Sequence, residues 1–215
     1  LKKMKETVNF HSINYTNTII NKYNLNLSIL PNFCKSGSLG QVYKCIYDNK
    51  ICSLKILHPN IEDDINNNFF YIKKALICCI KNLQIDFDGL HQSIIVQSDF
   101  INEYKNYKIF SNNFKDYQNI VFPKIHYFNK ELLISDFINF PDQEKLDFET
   151  KRTGSILFTI SIYKMVFIDN FVHGDLHKKN WKVRKTEGRN DYQIIFYDFG
   201  IVLSTGFRDK NIELW

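Results

Sequence analysis

The chain has 215 residues, 44% of them hydrophobic, 24% charged and 15% aromatic, enough apolar material for one core or for two small lobes sharing a cleft in a soluble globular protein. Its formal net charge of +5 arises from 28 basic and 23 acidic residues that are interleaved along the sequence. No lysine block suggests a nucleic-acid arm, so a nucleic-acid partner is not expected.

Five cysteines (Cys34, Cys45, Cys52, Cys78, Cys79) are odd in number and show no C-x-x-C spacing, which argues against a zinc knuckle or a full disulfide framework and for an intracellular reducing compartment. Cys78 and Cys79 are expected to be buried helix residues. The start at Leu1 and the stop at Trp215, shortly after a D-F-G triplet, suggest a piece of a longer protein. Abundant Asn, Ile, Lys, Phe and Tyr suggest an AT-rich coding sequence.

In chain order, "SGSLGQVYK" (Ser36 to Lys44) is a small-residue loop running into an alternating strand. "DNK" (Asp48 to Lys50) supplies a tight turn, and "ICSLKIL" (Ile51 to Leu57) returns as the second strand of a hairpin. Apolar residues recur at helical spacing from Glu62 to Leu83 and from Gln92 to Phe114. In the second stretch Ile101, Tyr104 and Ile109 are expected inside, with Lys105 and Lys108 facing elsewhere. "FPKIHYF" and "ELLISDFI" read as two short strands, followed by a connector at Asn139 to Asp142. The apolar run from Ile156 to Val172 is broken by Lys164 and Asp169 and is too short for a membrane span, so Gly154 to Asp169 is expected to be a core helix. Trp181 to Arg184 and Gln193 to Tyr197 pair as strands across the polar turn "KTEGRND". The order gives an α+β chain of two lobes meeting at a hinge: residues 1–138 with an antiparallel sheet and inserted helices, and residues 139–215 as a mainly helical, truncated second lobe.

Phosphoryl transfer from ATP needs a flexible loop over the phosphates, a lysine on the next strand, an Asp and an Asn near the reacting oxygen, and a further Asp on the metal. All of these occur in that order. Ser36, Gly37, Ser38, Gly40 and Val42 would form the phosphate loop and its flank, and Lys55 in "CSLKIL" would neutralise phosphate charge. Glu103 in "DFINEYKNY" is the candidate partner of Lys55, with Asp99 or Glu62 as alternatives. "FVHGDLHKKN" carries Asp175 and Asn180 at D-x-x-x-x-N spacing, which puts a carboxylate at the acceptor and an amide oxygen on magnesium. "YDFG" supplies Asp198 as the second metal ligand. Backbone groups at Asp136, Phe137 and Ile138 would meet the adenine. His173 is expected to pack beneath the loop and bond backbone, while Lys178 and Lys179 are either plain surface charge or lean toward the transferred phosphate. A lone G-x-x-G or D-F-G is weak; the ordered set is what carries the reading.

Beyond those positions, "SGSLGQVYKC", "SLKILHPNI", "QSDFINEYKNYKIFSNNF", "FPKIHY", "DNFVHGDLHKKN" and "YDFGIV" make the chain resemble the UbiB-like family of atypical kinases, the coenzyme Q-linked kinase-like proteins, from about Asn21 onward. "MVFIDNFVHGDLH" is most similar to the mitochondrial branch, and a viral or host-cytoplasmic setting fits the composition equally well. The resemblance implies an α+β, protein-kinase-like fold that binds a nucleotide and magnesium, with ATPase or unorthodox kinase activity linked to isoprenoid-quinone lipid metabolism. It also implies a Lys55–Glu103 ion pair, Asp175 as catalytic aspartate, Asn180 and Asp198 on the metal, quinone-pathway proteins or lipid as partners, and membrane association. Three features depart from the family. Gly37 stands at an alanine position, "HKKN" replaces "HPGN", and no K-x-G-Q signature is visible in Leu1 to Asn32. Two other readings are a small-molecule phosphotransferase, since "HGDLHKKN" also fits aminoglycoside and choline kinases, and a pseudokinase that binds nucleotide without turnover.

Overall fold

The computed structural model describes residues 10–80, 85–186 and 191–204. By its internal contacts the chain divides into two compact units, Leu1–Asn102 with Ile125–Phe137, and Glu103–Lys124 with Ile138–Trp215.

The first unit is built on an antiparallel sheet. Helix α1 (Ile13–Lys22) is capped by Ser12, whose hydroxyl accepts from the Tyr15 amide. Strands β1 (Leu27–Ser36), β2 (Gly40–Tyr47) and β3 (Lys50–Leu57) follow. The predicted hairpin joins β2 to β3 through Asp48 and Asn49, both at positive φ, the conformation whose twist matches that of the flanking strands. On β2 the alternation resolves into one buried face carrying Gln41, Tyr43 and Cys45. Ile19 and Ile20 of α1 pack there with Cys52, Leu54 and Ile56 of β3.

The apolar stretch predicted as a helix over Glu62 to Leu83 is α2 (Ile61–Cys79); its last predicted residues, 81–83, lie outside the described residues. Cys78 and Cys79 are exposed, contrary to the expectation of burial, because Phe69 alone turns inward from this helix. The single helix expected from Gln92 to Phe114 is two, α3 (Phe87–Gln97) and α4 (Phe100–Asn113). The break falls where the Asp99 carboxylate accepts from the Ile101 amide at 2.8 Å and opens a new helix. α3 lies on α2 through a stacked Phe69–His91 pair and a Lys73–Asp88 ion pair.

Strands β4 (Ile120–Val121), β5 (Ile125–Phe128) and β6 (Leu132–Asp136) come next. β6 pairs with both β3 and β5, giving the five-stranded order β1-β2-β3-β6-β5 in the first unit.

In the second unit, α5 (Phe148–Tyr163) begins six residues before the expected Gly154, because Asp147, whose carboxylate accepts from the Thr150 amide, caps it ahead of the apolar run. It ends in a π-helical turn, Lys164–Ile168. Lys164 and Asp169, which break the apolar run in sequence, form a buried ion pair at 2.5 Å, with the ammonium also 4.8 Å from the Phe114 ring. Strands β7 (Phe171–His173), β8 (Trp181–Lys185), β9 (Tyr192–Phe196) and β10 (Val202–Ser204) complete the described residues. β8 and β9 pair as predicted, β4 adds to β9 in parallel, and β7 pairs with β10. α5 lies against β8, with Phe158 on Trp181 at 4.8 Å. Gly154 permits this approach, since a Cβ there would fall 2.6 Å from Val183. Among the described residues no helix is long and apolar enough to cross a membrane.

Candidate active site

The first unit holds the loop, the lysine and the β6 end. Ser36 closes β1 and pairs with Gln41, and the turn of Gly37, Ser38 and Leu39 is shut by the Gly37 amide donating to Gly40 O at 2.8 Å. Gly40 is fixed by its neighbour strand: a Cβ would sit 2.3 Å from Ile56 O. Gly37 has no such constraint, its virtual Cβ meeting only Gly40 O at 3.7 Å.

Register places Lys35, Val42, Lys55 and Leu133 directly opposite one another across four strands, in one row on one face of the sheet. The face opposite this row carries the α1 core. The Lys55 ammonium stands 5.1 Å from the ring of Phe100, which is buried at the start of α4. Glu103 follows three residues later on the same face of that helix and is 6% exposed.

At the end of β6 the Asp136 carboxylate bonds His126 Nε2 at 2.6 Å, so its side chain is engaged across the sheet. The Phe137 amide donates to Ile51 O at 3.4 Å, and its ring has Phe33 edge-on at 5.2 Å and the Lys44 ammonium at 4.4 Å. Ile138, half-buried, begins the next segment of the second unit.

The second unit holds the acidic loops. His173 ends β7 almost fully buried; its Nδ1 accepts the Asp175 amide at 3.1 Å and its Nε2 donates to Tyr197 O at 2.9 Å. Those two bonds define a neutral Nε2-H ring, and burial lowers its pKa against the opposing pull of the Tyr197 carbonyl. The expectation that His173 packs beneath the loop and bonds backbone is what the structure shows. Gly174 donates to Ile201 O at 2.9 Å, and a Cβ there would fall 2.6 Å from Ile201 Cγ2.

Asn180, 7% exposed, donates through Nδ2 to both Asp175 O (3.0 Å) and Asp175 Oδ2 (3.2 Å). With the amide nitrogen committed, the oxygen Oδ1 is the atom turned to an acceptor role, which fits a hard cation such as Mg²⁺. The Tyr197 amide donates to Asn180 O at 2.8 Å and so ties this loop to the D-F-G turn. Asp198, exposed, has φ of 61°, a conformation uncommon for a side chain other than glycine, asparagine or aspartate. Asn106 of α4 donates to Phe199 O at 2.8 Å, and the Phe199 ring packs with Tyr107, Phe110, Phe122 and His173. Lys178 and Lys179 are exposed, and the Lys178 carbonyl accepts from Lys182.

Thus Asp175, Asn180 and Asp198 are brought together in one unit, and the loop and Lys55 in the other. Sequence reasoning missed Phe100 beside Lys55 and Asn106 on the D-F-G turn. The i, i+3 spacing from Phe100 to Glu103 was the available signal for the first; no pattern in the sequence marks the second.

A family profile described as the ABC1 atypical kinase-like domain matches residues 29–215. The chain is 31% identical over 170 residues, 72% of its length, to the probable serine/threonine-protein kinase abkC of Dictyostelium discoideum, of which it covers 24%. It spans between about a quarter and two fifths of the curated relatives it matches. Among solved structures it is similar to Rv3197 of Mycobacterium tuberculosis, determined with erythromycin, at a TM-score of 0.71 and 16% identity, covering 91% of this chain and 53% of that one. The Rio2 kinase of Chaetomium thermophilum, solved as an ADP/Mg²⁺-phosphoaspartate complex, gives 0.52 at 11% identity, with coverages of 88% and 52%. The fold is α+β and protein-kinase-like, and the chain belongs to the ABC1 atypical kinase-like family, the UbiB-like kinases.

Proposed function

We propose that the chain carries an ATP- and Mg²⁺-dependent phosphotransfer site acting as an atypical kinase or ATPase. The observation that best supports this is the grip of the Asn180 amide on the Asp175 carboxylate, which orients an amide oxygen and a carboxylate from one loop. Asn180 and Asp198 are the residues that would hold Mg²⁺, which would supply neutralisation of phosphate charge there. Asp175 would accept the proton of the attacking hydroxyl or water. Lys55, aimed by Glu103, would neutralise charge on the phosphates. Ser36, Gly37, Ser38, Gly40 and Val42 would cover the triphosphate. The Gly37 amide is taken by the turn, so Ser38 and Leu39 at its tip are the better donors. Backbone at Asp136, Phe137 and Ile138 would meet the adenine, with the Phe137 ring as an apolar wall.

The test is thermal stability with Mg-ATP for the wild type and Asp198→Asn in parallel. Ligand at a hundred times its dissociation constant should stabilise the wild type by about 2.7 kcal/mol. That gain should need magnesium and vanish in the variant. No shift in the wild type counts against a nucleotide site, and a shift without phosphate release favours a nucleotide-gated binding module.

The family resemblance supports the finer proposal of a role in isoprenoid-quinone lipid metabolism, with lipid or quinone-pathway proteins as partners at a membrane. Stimulation of ATP turnover by vesicles bearing an isoprenoid phenol, and not by plain vesicles, would support it; equal rates would count against it.

A further inference from the structure

Outside the positions assigned above, the first unit carries a chain of polar side chains that ends on the candidate phosphate loop. His58, just after β3, places Nε2 2.9 Å from Gly37 O and 3.4 Å from Ser36 Oγ, and Nδ1 2.9 Å from Nδ1 of His11. His11 places Nε2 3.0 Å from Thr16 Oγ1, which lies 2.8 Å from the Tyr43 hydroxyl. The Gln41 amide donates to that hydroxyl, and its oxygen accepts the His11 backbone N–H.

A carbonyl can only accept, so His58 Nε2 carries a hydrogen. With both rings neutral, His58 Nδ1 is then an acceptor, His11 Nδ1 its donor, and His11 Nε2 an acceptor for Thr16. Thr16 in turn accepts from Tyr43, and Tyr43 from Gln41. Every bond is satisfied in one direction, from the floor of the sheet to Gly37. Burial first, and the electrostatic influence of the neighbouring His58 ring second, lower the His11 pKa to about 4, so that ring stays neutral as the chain requires. Gln41 and Thr16 are essentially inaccessible, so the anchor end is rigid.

We propose that His58, braced by His11, is a positioning residue that clamps the β1–β2 turn through the Gly37 carbonyl and so presets the loop for the phosphates of a bound nucleotide. This rests on the nucleotide reading above. His58 touches no substrate; it acts through the backbone of Gly37. Preorganisation of this kind lowers the ordering cost of binding and so appears in nucleotide affinity rather than in the rate of the chemical step.

The experiment compares the wild type, His58→Leu, His58→Gln and Asp198→Asn by amide hydrogen exchange over residues 36–41 without ligand, and by Mg-ATP affinity. In H58L the turn should exchange faster and affinity should fall about fivefold, the worth of one neutral hydrogen bond. H58Q, whose amide nitrogen can reach Gly37 O, should restore both. D198N should leave loop exchange at the wild-type rate while abolishing magnesium-dependent binding. His11→Leu, which removes only the brace, should give the H58L change in smaller measure. Unchanged loop exchange in H58L overturns the clamp, as does faster exchange with unchanged affinity. A wild type that binds no nucleotide, with H58L still exchanging faster, overturns the nucleotide reading while upholding the clamp.

Discussion

Two glycines of the same loop face opposite demands. Gly40 lets β2 run within reach of the Ile56 carbonyl, where a Cβ at 2.3 Å would force two paired strands apart. Gly40→Ala is therefore expected to cost on the order of 1–3 kcal/mol, as overpacking does. Gly37 lies in open turn with ordinary φ and a 3.7 Å contact, so alanine fits there without strain. Gly37→Ala should stabilise by roughly 0.4–1 kcal/mol through the lost freedom of the unfolded chain. Urea midpoints of the two variants decide this, and a destabilised G37A would show that the turn needs glycine's conformational range. The cysteines separate just as sharply. Cys45 is fully buried and its thiol is pushed up to about 12 by burial and by Cys52, while Cys78 and Cys79 are exposed on α2. A thiol reagent at neutral pH should modify Cys78 and Cys79 in the native chain and leave Cys45 and Cys52 intact until it unfolds; early labelling of Cys45 would contradict the packing of the α1 face.

Helix α4 is where element and site meet. Its inward residues are Phe100, Glu103, Tyr107 and Phe110, with Phe114 just beyond its end, a 3-4-3-4 spacing in which one acid interrupts four aromatics. Apolar spacing in the sequence favours Ile101, Tyr104 and Ile109 instead, yet Ile101 is 36% and Ile109 42% exposed. Both sets fit a helical period, and the larger rings won because they remove more apolar area from water. Glu103, with Lys55, Asp175, Asn180 and Asp198, enters the candidate set from motif order alone. Asn106 does not, because its importance depends on where the D-F-G turn arrives from far along the chain. Replacing it by leucine removes the donor to Phe199 O beside the positive-φ Asp198. Asn106→Leu is expected to lose about 1 kcal/mol of stability and to weaken the magnesium-dependent gain with ATP, read by thermal shift. Loss of stability with a full magnesium response would make Asn106 a packing residue alone. β1 was not foreseen because it is decided by pairing with β2 rather than by its own alternation, whereas α1 and the break before α4 are set by the local side-chain caps Ser12 and Asp99, which apolar periodicity does not reveal.

Across the whole molecule, acid should act first on histidine and only later on carboxylates. His11 is held at about 4 and His173 is also lowered, in both cases chiefly by burial. A ring kept neutral by the fold binds fewer protons folded than unfolded, so unfolding takes up protons and stability falls as pH drops between the two values. For His11 that window runs from 6.5 down to about 4, with full stability above it. Glu131 is opposed by burial but lowered on balance by bonds from Lys22 and Tyr23, and Asp147 is lowered by the Thr150 amide. Their contributions are complete above the ordinary carboxylate range and are lost only below it. Histidine protonation also raises the net charge beyond +5, but that repulsion is screened by salt whereas a buried ring's desolvation is not. Protection factors of the β1–β3 amides at high salt, with the pH dependence of intrinsic exchange divided out, should thus fall progressively below pH 6.5. His11→Asn, which keeps a donor toward His58 and cannot titrate, should flatten that limb while leaving the steeper loss below pH 4.5. If the variant follows the wild type through the whole range, the acid sensitivity of the first unit lies elsewhere and His11 is a passive brace.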